Sequence, residues 1–205
     1  MSRTRIIVIA PGRGTYTRET SGYLNEYRGI AEQYIKWMDN IRLEKGYRSL
    51  TELDSLPFKT KIHMSGENAS TLIYGCSLSD FLYIDREKYK IVGVLGNSMG
   101  WYTALVLSGV ISIKNGFYLI QRMGSMMEKN IKGGQIIYPI IDKDWIINKN
   151  NQEMVSKLIN EVGAYISINL GGYVVIGGSQ KALNILLKKL PAIDDFPFQI
   201  PFHAA

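Results

Sequence analysis

Cysteine and histidine are the scarcest chemistry-bearing residues of this 205-residue chain, which has one cysteine, Cys76, and two histidines, His63 and His203. A lone cysteine cannot close an internal disulfide, and no cysteine and histidine cluster exists from which to assemble a zinc site. No metal and no bound cofactor is expected, and a reducing, cytoplasmic setting fits best. Long apolar runs are also lacking. None approaches the roughly 20 residues of a membrane helix, and the run from Ile6 to Ala10 is shorter than the apolar core of a signal peptide, so no membrane partner is expected. Charge of one sign never accumulates either. The 24 Lys plus Arg outnumber the 18 Asp plus Glu, for a net charge of +6, but they are scattered, with no RNA-binding aromatic-basic pattern and no zinc finger. The excess favours an acidic partner and gives no support for nucleic acid.

What remains is an ordinary globular composition, 46% apolar and 20% charged, enough to bury a core in one domain or in a larger lobe with a smaller one inserted. Residues 5–10, Arg-Ile-Ile-Val-Ile-Ala, form a continuous β-branched run closed by Pro11-Gly12-Arg13-Gly14, the pattern of a buried parallel strand ending in a tight loop. Tyr23, Tyr27, Ile30, Tyr34, Trp37 and Ile41 recur at helical spacing. A polar connector follows through Pro57 and Gly66, then a weaker helical pattern over 68–83. A second strand at 89–95 runs into Gly96-Asn97-Ser98-Met99-Gly100 and a helix from 102 to 110. After a helix over 115–130, the remainder reads strand 135–141, helix 152–162, strands 164–170 and 173–176, helix 180–190 and strand 196–200. That order, β-α-β-β-α-β, is the ferredoxin-like pattern. The expected organisation is a large α/β lobe over 1–132, a ferredoxin-like subdomain over 133–195, and a return strand to the large lobe over 196–205.

Gly96-x-Ser98-x-Gly100 is the nucleophile-elbow pattern, a serine on a sharp strand-to-helix turn with small residues where the backbone passes close to its neighbours. An ordinary turn with a serine N-cap shares it, and the buried strand in front favours the catalytic reading. The amide groups that open the next helix suit an oxyanion. A serine nucleophile needs a base. Of the two histidines, His63 falls in a polar connector and reads as a solvated loop residue. His203 follows the last strand, in Ile200-Pro-Phe-His-Ala204, where a strand end can deliver an imidazole.

Three segments in this order resemble a known family. Pro11-Gly12-Arg13-Gly14 resembles a P-G-Q-G loop, Gly96-Asn-Ser-Met-Gly100 resembles G-H-S-x-G, and Phe198-Gln-Ile-Pro-Phe-His203 resembles the V-x-x-P-x-H segment of the malonyl-CoA:acyl carrier protein transacylases and polyketide-synthase acyltransferases. Trp101-Tyr-Thr-Ala-Leu105 is similar to the family's G-E-Y-x-A-L continuation, and Asn169 to the asparagine before the insert's hairpin. The resemblance covers essentially the whole chain. It implies an α/β-hydrolase-like lobe with a parallel sheet and a small ferredoxin-like insert. It further implies Ser98 as acylated nucleophile, His203 as its base, and the backbone N–H groups of Arg13 and Met99 as oxyanion hole. Acyl-CoA would be the donor and the phosphopantetheine thiol of an acidic acyl carrier protein the acceptor. Asn97, Arg122, Met123 and Asn169 would line the acyl site.

The departures carry information about specificity. Malonyl-specific members place an arginine before a glycine in the helix after the serine, where this chain reads Gln121-Arg122-Met123-Gly124. Methionine stands at that place, and Arg122 points about 100° away on a helix. An apolar residue favours an uncharged acyl group over a dicarboxylic one. Asn97 replaces the family's histidine and Arg13 its glutamine. The chain also ends two residues after His203, earlier than the family does, so a partial-length sequence is expected. A serine hydrolase and a carrier-binding relative without turnover are the alternatives.

Overall fold

The computed structural model describes residues 3–129 and 133–200. The chain divides into two compact units, Met1–Glu128 and Lys129–Ala205.

In the first unit, the β-branched run forms β1 (Thr4–Ala10), which pairs in parallel with β2 (Tyr89–Gly96) from Thr4 opposite Tyr89 to Ala10 opposite Gly96, with one register shift between Ile6 and Ile7. A parallel pair needs a long crossover, supplied here by α1 (Gly29–Glu44), the short helices α2 (Leu50–Ser55) and α3 (Thr60–His63), and α4 (Gly66–Tyr83). After β2 come α5 (Gly100–Leu107) and α6 (Ile113–Lys129). The core gathers Met38, Leu50, Leu53, Leu72, Tyr74, Phe117 and Ile120, all at most 0% to the nearest percent exposed.

Two sequence expectations change here. The segment from Tyr23 is not one continuous helix: a 3-10 turn, Tyr23–Glu26, precedes α1, and the helix buries Ala31, Ile35, Met38 and Arg42 along its centre. The predicted stripe lies one residue round the helix. Its bulky members Tyr34, Trp37 and Ile41 pack along the flank, with Trp37 edge-on to Phe117 at 5.3 Å, while Ile30 is exposed. The polar connector is not wholly irregular either. Ser49 caps α2, its hydroxyl accepting from the Glu52 N–H at 3.0 Å, which lets a six-residue helix present Leu50 and Leu53 to the core.

The second unit runs β3 (Gly134–Pro139), α7 (Lys149–Val162), β4 (Tyr165–Asn169), β5 (Tyr173–Gly178), α8 (Gln180–Lys189) and β6 (Phe198–Ile200). Its four strands are antiparallel neighbours in the order β4-β5-β3-β6, the split β-α-β arrangement of ferredoxin-like folds. Side-chain caps start both helices, Asn148 for α7 and Ser179 for α8, and Gly163 in left-handed backbone stops α7. Ile136, Tyr138, Val174, Ile176, Leu183 and Leu186 form a core of its own. Residues 198–200 were expected to return to the large lobe; they instead pair with Gln135–Ile137 of β3 and complete this sheet. Residues 201–205 lie outside the described residues.

Candidate active site

Ser98 stands on the turn between β2 and α5 with φ of 52°, a left-handed conformation uncommon for a residue with a side chain. Two close approaches impose it. A Cβ on Gly96 would lie 2.3 Å from the Gly100 carbonyl oxygen, and one on Gly100 would lie 2.2 Å from that of Ala10. The chain can therefore turn this sharply only with hydrogen atoms at both places. The Asn97 N–H donates to the Ala10 carbonyl at 3.1 Å, and the Gly100 N–H to the Asn97 carbonyl at 2.8 Å. Those bonds fix the turn between the strand ends, leaving Ser98 and Asn97 exposed while Met99 plugs into the core below.

The loop after β1 lies directly against this turn. A Cβ on Gly12 would meet the Asn97 carbonyl oxygen at 2.9 Å and Ser98 Cβ at 3.1 Å, so the two loops pack backbone against backbone. Thr15 Oγ1 donates to the Gly12 carbonyl at 3.1 Å and closes the loop on itself. Further along, the buried Tyr16 hydroxyl donates to Asp54 Oδ1 at 2.7 Å, and Asp54 Oδ2 accepts from the Leu24 N–H at 2.9 Å. Burial pushes the Asp54 carboxyl above the usual carboxylate range, against the opposing pull of the Tyr16 hydroxyl and the backbone donors. This anchor was not read from the sequence. Its only local sign is an aspartate between two leucines, Leu53 and Leu56.

His63 is corrected. It is buried, its Nε2 lies 2.9 Å from the Leu53 carbonyl oxygen, its Nδ1 accepts from the Lys59 N–H at 3.0 Å, and its ring stacks on Phe58 and Tyr16. Both nitrogens are engaged by backbone, so this ring has a packing role. His203 lies outside the described residues. Cys76, the alternative nucleophile by type, has its thiol pushed well up by burial, which keeps it protonated and unreactive at neutral pH.

On α6, Gln121 is buried, Arg122 exposed and Met123 half-buried, as their 100° spacing dictates. The helix is held by Arg42, which is fully buried. Its Nη1 donates to Gln121 Oε1 at 2.6 Å, Thr71 Oγ1 at 2.6 Å and the Glu67 carbonyl at 3.0 Å; its Nη2 donates to Asn68 Oδ1 at 2.7 Å and its Nε to the Arg48 carbonyl at 2.6 Å. Desolvation holds this guanidinium down to about 10, still charged at neutral pH. Arg42 was legible only as position i+11 of the Ala31, Ile35, Met38 stripe. Asn169 ends β4 in the second unit and is exposed. Among the described residues, no group of three or more His, Cys, Asp and Glu side chains could hold a metal ion, and no helix is long and apolar enough to cross a membrane.

No protein-family model matches the chain. It is similar to the malonyl CoA-acyl carrier protein transacylase of Bacillus subtilis, 29% identical over 129 residues, and to that of Haemophilus influenzae, 30% identical over 131 residues. Each alignment takes in 58% of this chain, and 40% and 41% of the relative. Among solved structures, a Synechocystis malonyl-CoA:ACP transacylase matches all of this chain over 64% of its own, with TM-score 0.75 and 19% identity. The acyltransferase domain of the polyketide synthase PpsC of Mycobacterium tuberculosis matches all of it over 59%, with TM-score 0.71 and 17% identity. At these identities the structural likeness is one of fold, an α/β lobe with a ferredoxin-like subdomain. The chain is a relative of the malonyl-CoA:acyl carrier protein transacylases and spans less than two thirds of their length.

Proposed function

We propose that the chain carries the acyl-enzyme half of an acyl-CoA:acyl carrier protein acyltransferase of cytoplasmic fatty-acid or polyketide synthesis. The observation that carries this reading is Ser98, held at φ of 52° on a strand-turn-helix elbow with the Gly12 loop packed against it. Ser98 Oγ attacks the thioester carbonyl, the C–S bond breaks, and CoA leaves as its thiol with the proton taken from the serine. The phosphopantetheine thiol of the carrier then attacks the Ser98 ester and restores the hydroxyl. Each half passes through a tetrahedral oxyanion, for which the N–H groups of Arg13 and Met99 are the proposed donors, so one pair of donors serves both. His203 is the proposed base. The net charge of +6 suits an acidic carrier.

Met123 is the proposed specificity position, with Asn97, Arg122 and Asn169 as further substrate contacts. A half-buried thioether offers no counter-charge to a malonyl carboxylate, so an uncharged acyl group is the expected cargo. Intact-mass analysis after incubation with a panel of acyl-CoAs tests the reading. One acyl mass is expected on the wild type and none on Ser98→Ala. An adduct on the Ala variant, or one mapped to Cys76, would refute it.

A further inference from the structure

Three non-glycine residues among those described have positive φ: Ser98 at 52°, Trp145 at 61° and Asp194 at 49°. The first is the elbow. The other two lie in the second unit and line one cleft of about 470 Å³, within the roughly 300–1,000 Å³ of small-molecule sites. Trp145 sits at the tip of a rigid turn. Its N–H donates to the Asp142 carbonyl at 3.1 Å, the Asp142 N–H to the Ile146 carbonyl at 2.9 Å, and Asp142 Oδ1 accepts from the N–H groups of Asp144 and Ile146. Asp194 occupies a second turn, closed by reciprocal bonds between Ile193 and Phe196.

Left-handed turn positions are filled at least cost by glycine or asparagine, and a bulky residue there is a genuine outlier. Here the position holds a tryptophan that is 75% exposed. The exposed indole is unfavourable in the free chain, and a bound partner would cover it, while strained turn positions of this kind cluster at ligand sites. The surroundings define that partner. The Trp145 and Tyr173 rings are 6.5 Å apart and inclined at 65°, and Tyr173 and Phe196 are 5.4 Å apart at 52°, so three mutually inclined rings line the cleft. Two carboxylates, Asp142 and Asp194, and one ammonium, Lys143, share its lining, which leaves it acidic on a chain that is basic overall. Aromatic faces with carboxylates beside them are the chemistry that selects an organic cation.

We infer that this cleft binds a small organic cation of the alkylammonium class, with Trp145 as its aromatic wall and Asp194 as its counter-charge. The inference concerns the second unit alone and does not depend on Ser98. It is tested by titrating the full chain with choline and with choline's neutral isostere, in which carbon replaces the quaternary nitrogen, read by calorimetry and by amide chemical shifts. Choline is expected to saturate with shifts confined to the 141–147 and 193–196 turns, and to bind about tenfold more tightly than the isostere, the size of one desolvated cation–π contact. Trp145→Ala is expected to abolish this binding and Asp194→Asn to weaken it, with circular dichroism unchanged for both because each side chain is exposed. Equal affinity for the isostere, survival of binding in Trp145→Ala, or no saturable binding by the wild type would each overturn the inference.

Discussion

At the residue scale, the elbow depends on the absence of atoms. Gly100→Ala would place a methyl group 2.2 Å from the Ala10 carbonyl oxygen, backbone against backbone, so neither side yields by a rotamer change. We expect a loss of about 2 kcal/mol in urea denaturation and loss of the acyl-Ser98 mass even where the variant folds. Met123→Arg is expected to shift acyl preference towards malonyl-CoA by about 1–3 kcal/mol, the scale of a charge-assisted hydrogen bond, measured as the ratio of adducts from a mixed acyl-CoA pool. Efficient malonylation of the wild type would remove the basis for assigning specificity to Met123. The elbow was legible in the sequence because its constraint is local: two glycines, a serine and a preceding strand occupy consecutive positions. His63 was not, because its burial depends on Tyr16, Phe58 and Leu53, which only the folded chain assembles around it.

At the element scale, one guanidinium joins α1, α4 and α6. Arg42→Ala would leave the buried oxygens of Gln121 and Thr71 and the half-buried one of Asn68 without this donor, a cost of about 3 kcal/mol, read as a lower urea midpoint. Arg42→Lys is expected to recover only part of it, since a single ammonium cannot span that many directions. Nearby, the Tyr16–Asp54 anchor has a pH signature. A carboxyl raised by burial takes up a proton more readily in the folded than in the unfolded chain. Its stabilising contribution is therefore full below the ordinary carboxylate range and is lost as pH rises through its raised value. The wild type is accordingly expected to lose stability relative to Asp54→Asn between acid and neutral pH, and a pH-independent difference in urea midpoints would contradict this. Periodicity identified the helices, yet it placed α1 one residue out of phase. Large aromatics at Tyr34 and Trp37 suggested the centre of the stripe, whereas a helix packed closely on α4 needs small and slender residues there and keeps its wide rings for the flanks.

At the scale of the whole molecule, the two units have separate cores, and the order of strands and helices from residue 133 onward made the ferredoxin-like half readable from sequence. The partner of β6 was harder, because a three-residue strand carries too little pattern to choose its sheet. In the first unit, Ile7, Ile9, Val92 and Leu95 occupy one face of the β1–β2 pair and are 42–68% exposed, although parallel strands are ordinarily covered on both faces. The isolated chain is expected to bind ANS, and Ile7→Lys with Ile9→Lys to reduce that fluorescence without shifting the far-ultraviolet spectrum.

The bond from the Asn97 N–H to the Ala10 carbonyl ties the geometry of Ser98 to the pairing of those same two strands. Among the described residues they form a sheet of two, and a narrow ribbon opens locally at a lower free energy than a packed core. Ser98 is thus expected to belong to a small cooperative unit that opens first on warming. Acylation should fail at a temperature where calorimetry still records a folded chain, and the Asn97 amide should exchange with solvent sooner than those of Ile136 and Ile176. The chain would then have two melting points, one for acylation and one for structure, and the distance between them would measure how much the ribbon contributes to holding a single serine in place.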